Sequence, residues 1–323
     1  MLRIVYAMVL ALVIATAPAL AGADSYPTKP IHIIVPYPAG GTSDILARTI
    51  GQRLSESLGQ PGIVDNKPGA NGNVGADLVA KANADGYTLL LADIGALVIS
   101  PSVYPTLPFD PVKDFAPVTM VAYSPHILVV HPSVAANSVS ELVQMAKAKP
   151  GKLNFAISGV GGAPHLAGVD FALRTGIDWL YIPYKGGAQA IADVAAGQAD
   201  VTLNGMLATY PLVQGGKLKL LAVSSAKRMS AIPDVPTIAE SGVPGFESGS
   251  WQGVVAPAGT PRDVVGRLNV EILRIVGAAD MRERLGKQGA DVRTTTPDEF
   301  GSFIRTETAK WAKVVKDANV KVD

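Results

Sequence analysis

The chain has 323 residues, 28 Lys+Arg against 27 Asp+Glu, and no cysteine. That balance excludes the basic surface that nucleic acid selects, and the missing cysteine excludes a thiol nucleophile, a Cys-based zinc site and disulfide stapling. The chain is long enough, and at 48% hydrophobic residues apolar enough, to bury one or two cores without staples.

Residues 1–23 read as a secretory signal peptide. Arg3 gives a positive start, Ile4 to Ala15 is mostly apolar, and Ala19-Leu20-Ala21 and Ala21-Gly22-Ala23 both have the small-x-small spacing of a cleavage site. A cut before Asp24 is expected, with the mature protein in the periplasm. The competing reading is a membrane anchor, but about 20 unbroken apolar residues are needed to span a bilayer, and Thr16 and Pro18 interrupt this run. Removing Arg3 leaves Lys+Arg equal to the 27 Asp+Glu, so the mature chain is formally neutral. An anionic ligand must therefore be held locally rather than by overall charge.

From Tyr26 onward the pattern is strand, Gly-rich loop, helix, repeated. Ile31 to Pro36 is a β-rich apolar run, and Pro38 to Asp44 is a loop. Ile45, Leu46, Thr49, Ile50 and Leu54 then recur at helical spacing. Ile63-Val64 reads as a short strand, Gly69 to Gly75 turns into a helix ending near Ala82, and Tyr87 to Ala92 is a third strand. Tyr104 to Val118 is proline-rich and reads as irregular; Ile127 to Val130 resumes as strand. Ser138 and Glu141 form a capping-box pattern at a helix start. Strands are expected over 153–158, 181–184, 201–204 and 218–223, with helices over 165–174 and 188–196. A loop with one short helix is expected over 233–246, then a strand over 253–257 and helices over 261–277, 280–289 and 297–318. This alternation predicts an α/β fold of parallel sheets covered by helices. Two lobes suit the length, with boundaries near Ala122 to Ser124 and Ser224 to Ala226. Residues 24–123 plus 227–323 would form one lobe and 124–226 the other.

Three loops share one design, in which a strand ends, glycines follow and a helix begins. They are Ala39-Gly40-Gly41-Thr42-Ser43-Asp44, Ser158-Gly159-Val160-Gly161-Gly162, and Tyr184-Lys185-Gly186-Gly187. Glycine lets the backbone approach a ligand, and a helix N-terminus offers unpaired N–H groups at the positive end of its dipole. Such loops can hold a carboxylate without an arginine; they can also be ordinary tight turns. No dinucleotide fingerprint fits, because Pro164 stands where the third glycine belongs. Lys185 precedes its glycines, unlike a P-loop, and there is no G-x-S-x-G elbow.

The four histidines, 32, 126, 131 and 165, form no metal-ligand spacing. His165, beside a Gly-rich loop, either lines a site or caps its helix, and a hydrolase would have to use it with Ser158. His32 lies within an apolar strand and reads as structural. Asp44 reads as a helix cap, whereas Asp93 could hold a water or a ligand N–H. Lys185 either pairs with a carboxylate or is solvated. Tyr37 and Tyr184 flank two of the loops and could pack on a ligand; Trp251 reads as core. No metal, cofactor or catalytic constellation is expected.

Several stretches together resemble the Bug family, the extracytoplasmic binding proteins of tripartite tricarboxylate transporters. They are Tyr26 to Ile31, Val35 to Asp44, Asn66 to Gly72, Asp85 to Leu90, Pro183 to Ala190 and Ala256 to Pro261. The resemblance implies a periplasmic-binding-protein-like fold, with two α/β lobes around a ligand cleft, two chain crossings and flytrap closure. It implies capture of a small carboxylate, a dicarboxylate or related organic acid, for delivery to a membrane permease. The ligand-holding positions it implies are Ala39, Gly40, Gly41, Thr42 and Asp44, then Ser158, Gly161, Gly162 and His165, with Tyr184 to Gly187 as a third loop. A monomer is expected. Ile157 to Gly162 lacks two hydroxyls common in the family, and Asn204-Gly205-Met206 stands where family members are commonly more acidic. The alternative function is a sensor that presents its closed form to a membrane receptor, which needs the same cleft.

Overall fold

A computed structural model describes residues 26–317, so the expected signal peptide lies outside the described residues. The first half runs β1 (Ile31–Val35), α1 (Thr42–Leu58), β2 (Gly62–Asn66), α2 (Asn73–Ala80), β3 (Thr88–Asp93), α3 (Ser100–Val103) and β4 (Phe115–Val130). The middle runs α4 (Val139–Ala148), β5 (Asn154–Ser158), α5 (Ala163–Thr175), β6 (Leu180–Tyr184), α6 (Gly187–Ala195), β7 (Val201–Gly205), α7 (Met206–Gln214) and β8 (Lys219–Val223). The last part is β9 (Gly249–Pro257), α8 (Arg262–Gly277), α9 (Ala279–Lys287), β10 (Asp291–Val292) and α10 (Pro297–Asp317).

The strands are ordered β2-β1-β3-β9-β4-β7-β5-β6, with β10 and β8 also pairing on β4. β4 is the shared strand. Its first part, Phe115 to Pro125, pairs with β9; its last part, His126 to Val130, pairs with β7 and β8. Two sheets are thus joined end to end. The expectation of parallel sheets holds for β1 with β2 and β3 and for β5 with β6 and β7, while β4 and β9 run antiparallel to their neighbours.

The period-two alternation of each strand sends side chains to two apolar layers. In the first sheet Ile31, Ile33, Val35, Leu89, Leu91, Val254 and Ala256 face the layer shared with α1 and α8. Ile34, Leu90, Ala92 and Val255 face the layer shared with α2 and α10. In the second sheet Leu128, Val130, Phe155 and Ile157 face one layer, and Ile127, Val129 and Ala156 the other. Strands buried on both faces read as continuous apolar runs, which is how they stand in the sequence.

Several elements depart from expectation. β4 begins at Phe115, inside the segment that reads as irregular, because its Pro117 sits where the pairing with β9 shifts register. Residues 233–246 hold turns and no helix, tied by Ile238 N–H donating to Val223 O and by a bridge between Val223 and Thr237. A π-helical turn over Gly95–Ile99 leads into α3.

The chain first leaves the first sheet within β4, at Ser124 to His126. It returns at Ser248–Gly249, not at Ala226–Lys227. Ile232, Ile238, Val243 and Phe246 are buried against the second sheet, which keeps the intervening segment there. The crossings lie side by side: Ser224 N–H donates to His126 O and Ser248 N–H to Ser224 O, at 2.9 and 3.0 Å. The Ser224 hydroxyl also reaches both His126 O and Ser248 O.

Candidate functional site

A cleft opens where the two sheets meet, with about 560 Å³ of atom-free space including its mouth. Tyr37, Gly41, Thr42, Ser43, Asn71 and Asp93 line it from the first sheet, joined by Gly95, Ser250 and Gln252. His126, Ser158, Gly162, Ala163 and Pro164 line it from the second, with Gly186, Gly187, Asn204 and Gly205. No lysine or arginine is among them.

Four helices start at this cleft: α1, α5, α6 and α7. Their N-cap residues are Gly41, Gly162, Gly186 and Gly205, and none has a side-chain capping bond. Helix starts elsewhere are ordinarily capped by Ser, Thr, Asp or Asn. α4, away from the cleft, obeys that rule: the Ser138 hydroxyl accepts from Glu141 N–H at 3.1 Å, and Glu141 accepts from Asn137 N–H. At α1, α5 and α6 a glycine cap leaves first-turn N–H groups to whatever occupies the cleft, whereas at α7 Leu207 N–H donates to Ser124 Oγ at 3.4 Å. The four ends also direct the positive poles of their dipoles to one volume.

Two of the loops are cinched alike. Gly40 N–H donates to Asp44 Oδ2 at 2.9 Å, and Gly161 N–H donates to His165 Nδ1 at 3.0 Å. Both glycines have positive φ, +86° and +76°, which a side chain would strain. In each case a first-turn side chain reaches back to the loop four residues earlier. Asp44 also takes bonds from Arg48 and Asn66. Burial raises its pKa, but these donors outweigh burial and hold its carboxyl below the ordinary value. Burial lowers the His165 pKa, so its Nδ1 is an acceptor; its ring packs edge-on against Tyr181.

The expected site residues therefore divide. Tyr37, Gly41, Thr42, Asp93, Ser158, Gly162, Gly186 and Gly187 line the cleft. Asp44, His165, Gly40 and Gly161 shape its loops from outside the lining. Ala39 and Lys185 are exposed at its margin, and Tyr184 packs on the core of the second sheet. His165 makes no bond to Ser158, whose hydroxyl instead accepts from Asn204 Nδ2 at 2.6 Å.

Asn71, His126, Ser250 and Gln252 line the cleft although the sequence does not mark them as site residues, and so does Asn204, which the sequence marks only as a departure from the family. Asn71 sits in a glycine-flanked turn with φ of +53°. Asn204 ends β7 directly before an uncapped helix, a position that strand-end reasoning can find. Gln252 has no local signal, because its place depends on the pairing of β9 with β3.

Asp93 accepts from the Tyr37 hydroxyl and from Gly95 N–H, the latter at 2.8 Å. Burial pushes the Asp93 carboxyl up despite these donors, and burial together with the Asp93 charge pushes the Tyr37 phenol well up. His126 is held neutral by burial, its pKa lowered to about 4.

Across the cleft the two sides touch. A Cβ on Gly186 would stand 2.5 Å from Pro38 Cδ, and one on Gly205 2.7 Å from Thr42 Oγ1. Asn71 Oδ1 lies against Gly159 and Gly162, and Val103 against Gly161.

Residues 46–320 match the family model described as a tripartite tricarboxylate transporter family receptor. The protein BugT of Bordetella pertussis is 39% identical over 317 residues, covering 97% of each chain. A solved R. palustris protein with adipate is 38% identical, with a TM-score of 0.90 over 92% of this chain and 100% of its own. MatC from Rhodopseudomonas palustris with bound malate is 30% identical, with a TM-score of 0.85 over 90% of this chain and all of its own. The fold is that of periplasmic binding proteins. No helix among the described residues is long and apolar enough to cross a membrane.

Proposed function

The chain belongs to the tripartite tricarboxylate transporter receptor family, and on that premise we propose that it captures a small organic acid by its carboxylate and delivers it to a membrane permease. Residues 1–23 serve as the export signal, and the mature protein works in the periplasm as a monomer.

One observation carries the reading: four glycine-started helix N-termini, three of them with no side-chain bond to the first turn, converge on a cleft without lysine or arginine. Each helix end contributes about 0.3–1 kcal/mol to an anion, and up to ~2 kcal/mol where partly buried. The hydroxyls of Thr42 and Ser43 add donors on the first side. The similarity to proteins solved with adipate and malate supports the same ligand class. Ser158 accepts from Asn204 and His165 accepts from Gly161 N–H, so both side chains help shape the cleft, which supports a binding role for them.

Isothermal titration against dicarboxylates, citrate, aromatic carboxylates, acidic amino acids and neutral sugars tests this. At least one carboxylate is expected to bind with one site per chain. Binding of a neutral solute with no binding of any carboxylate overturns the reading.

A further inference from the structure

The cleft is not symmetric in its hydrogen-bonding capacity. The glycine-capped helix ends line both sides of the cleft, and Asn71, whose Nδ2 is a buried donor without a partner, lies with Tyr37 and Asp93 around Gly95. On the floor, Asp93 and Gln252 stand directly opposite one another in the β3–β9 pairing. Both line the cleft. Gln252 is 1% exposed, and its Nε2 donates to Ser250 Oγ at 3.2 Å. That bond fixes the amide so that Oε1 is the free end, and Oε1 is a buried acceptor with no partner.

Buried polar atoms are nearly always satisfied, and leaving one unpaired is costly. An orphan donor and an orphan acceptor near one carboxyl group therefore call for a ligand group that meets them. The orphan donor suits a ligand oxygen. The orphan acceptor, set beside a carboxyl group, suits a donor. Tyr37 cannot supply it, because its hydroxyl is already directed at Asp93. His126, neutral, is tied through Nδ1 to Ser248 Oγ. No cation lines the cleft to neutralise Asp93 and a second anion together.

Resting on the carboxylate reading above, we propose that Asp93 and Gln252 are specificity-determining residues: they receive a hydroxyl or protonated amine of the ligand and disfavour a second carboxylate ion beside them. Like charges set together in a desolvated site repel strongly. A site built around a hydrogen bond to a substrate O–H or N–H strongly rejects analogues that lack it.

The test compares, by isothermal titration at neutral pH, ω-hydroxy and ω-amino carboxylates of four to eight carbons with the dicarboxylates of equal length. At the best length, a donor-terminated ligand is expected to bind about tenfold or more tighter than the dicarboxylate. Asp93→Asn, which keeps an acceptor and removes the charge, then strengthens dicarboxylate binding. Gln252→Leu weakens the donor-terminated ligand more than the dicarboxylate, narrowing the difference between the two series. Tighter wild-type binding of the dicarboxylate at every length, with or without proton uptake, overturns the inference and leaves carboxylate capture standing. The wild-type comparison decides even where a variant fails to fold. No binding by any member of either series, with a neutral solute bound, removes the carboxylate reading and this inference with it.

Discussion

His126 is 1% exposed, lines the cleft, and sits where β4 passes from one sheet to the other. Burial lowers its pKa from 6.5 to about 4. A group whose folded-state pKa is depressed contributes stability that is fully present above the unfolded pKa and lost as pH falls toward the folded one. The window is therefore pH 6.5 down to 4, and the loss is about 3 kcal/mol. His126→Gln is expected to flatten denaturant-derived stability across that window relative to the wild type, in ligand-free protein. Equal acid sensitivity in both would mean the ring is solvated. At this scale the sequence was informative where a side chain acts on its own loop. Asp44 reads as a cap or first-turn acid, and it is the latter: it stands in the first turn of α1 and ties its own loop by accepting from Gly40 N–H. Gln252 was invisible because an isolated glutamine in an apolar strand acquires meaning only from the residue paired across from it.

At the scale of elements, the glycine caps trade stability for an empty place. Gly41 has φ of −80° and ψ of 171°, which any residue adopts, and an added Cβ would meet nothing closer than Pro38 O at 3.8 Å. Gly41→Asp should cap α1 and raise stability by up to about 1 kcal/mol. It should also put a negative charge where the ligand carboxylate belongs and lower affinity at least about a hundredfold. Ser138→Ala does the reverse, costing about 1 kcal/mol at α4 with affinity unchanged. Melting curves and titrations on the two variants check this; a Gly41→Asp protein that still binds would exclude the first loop. Most elements were legible because doubly buried strands and amphipathic helices carry their periods openly. β4 was shortened in the sequence reading by Pro117 and Pro125, which lie at its edges of pairing. α7 was missed because it is short and holds Pro211.

At the scale of the molecule, the two sides of the cleft meet through glycines. Gly186 is extended (φ 176°), so alanine is tolerated there by the backbone, but its Cβ would stand 2.5 Å from Pro38 Cδ. Gly186→Ala should therefore push the two sides apart at this contact and lower affinity about tenfold or more, the ordinary cost of an overpacked contact. Small-angle scattering should show less compaction on ligand addition than in the wild type. Unchanged affinity and compaction would place the closing contact elsewhere. The two-sheet plan was readable in outline, whereas the second crossing at Ser248–Gly249 was not, because residues 227–247 are bound to the second sheet by scattered apolar contacts rather than by a periodic element.

The glycine caps have a further consequence for how such a protein diverges. On the proposed reading, donors that belong to the main chain are the same whatever side chains surround them, so point mutation cannot easily erase the grip on the carboxylate. It would crowd that grip, as at Gly41, or rewrite the residues around Asp93 and Gln252. A lineage built this way would change its diet one side chain at a time while still holding an acid.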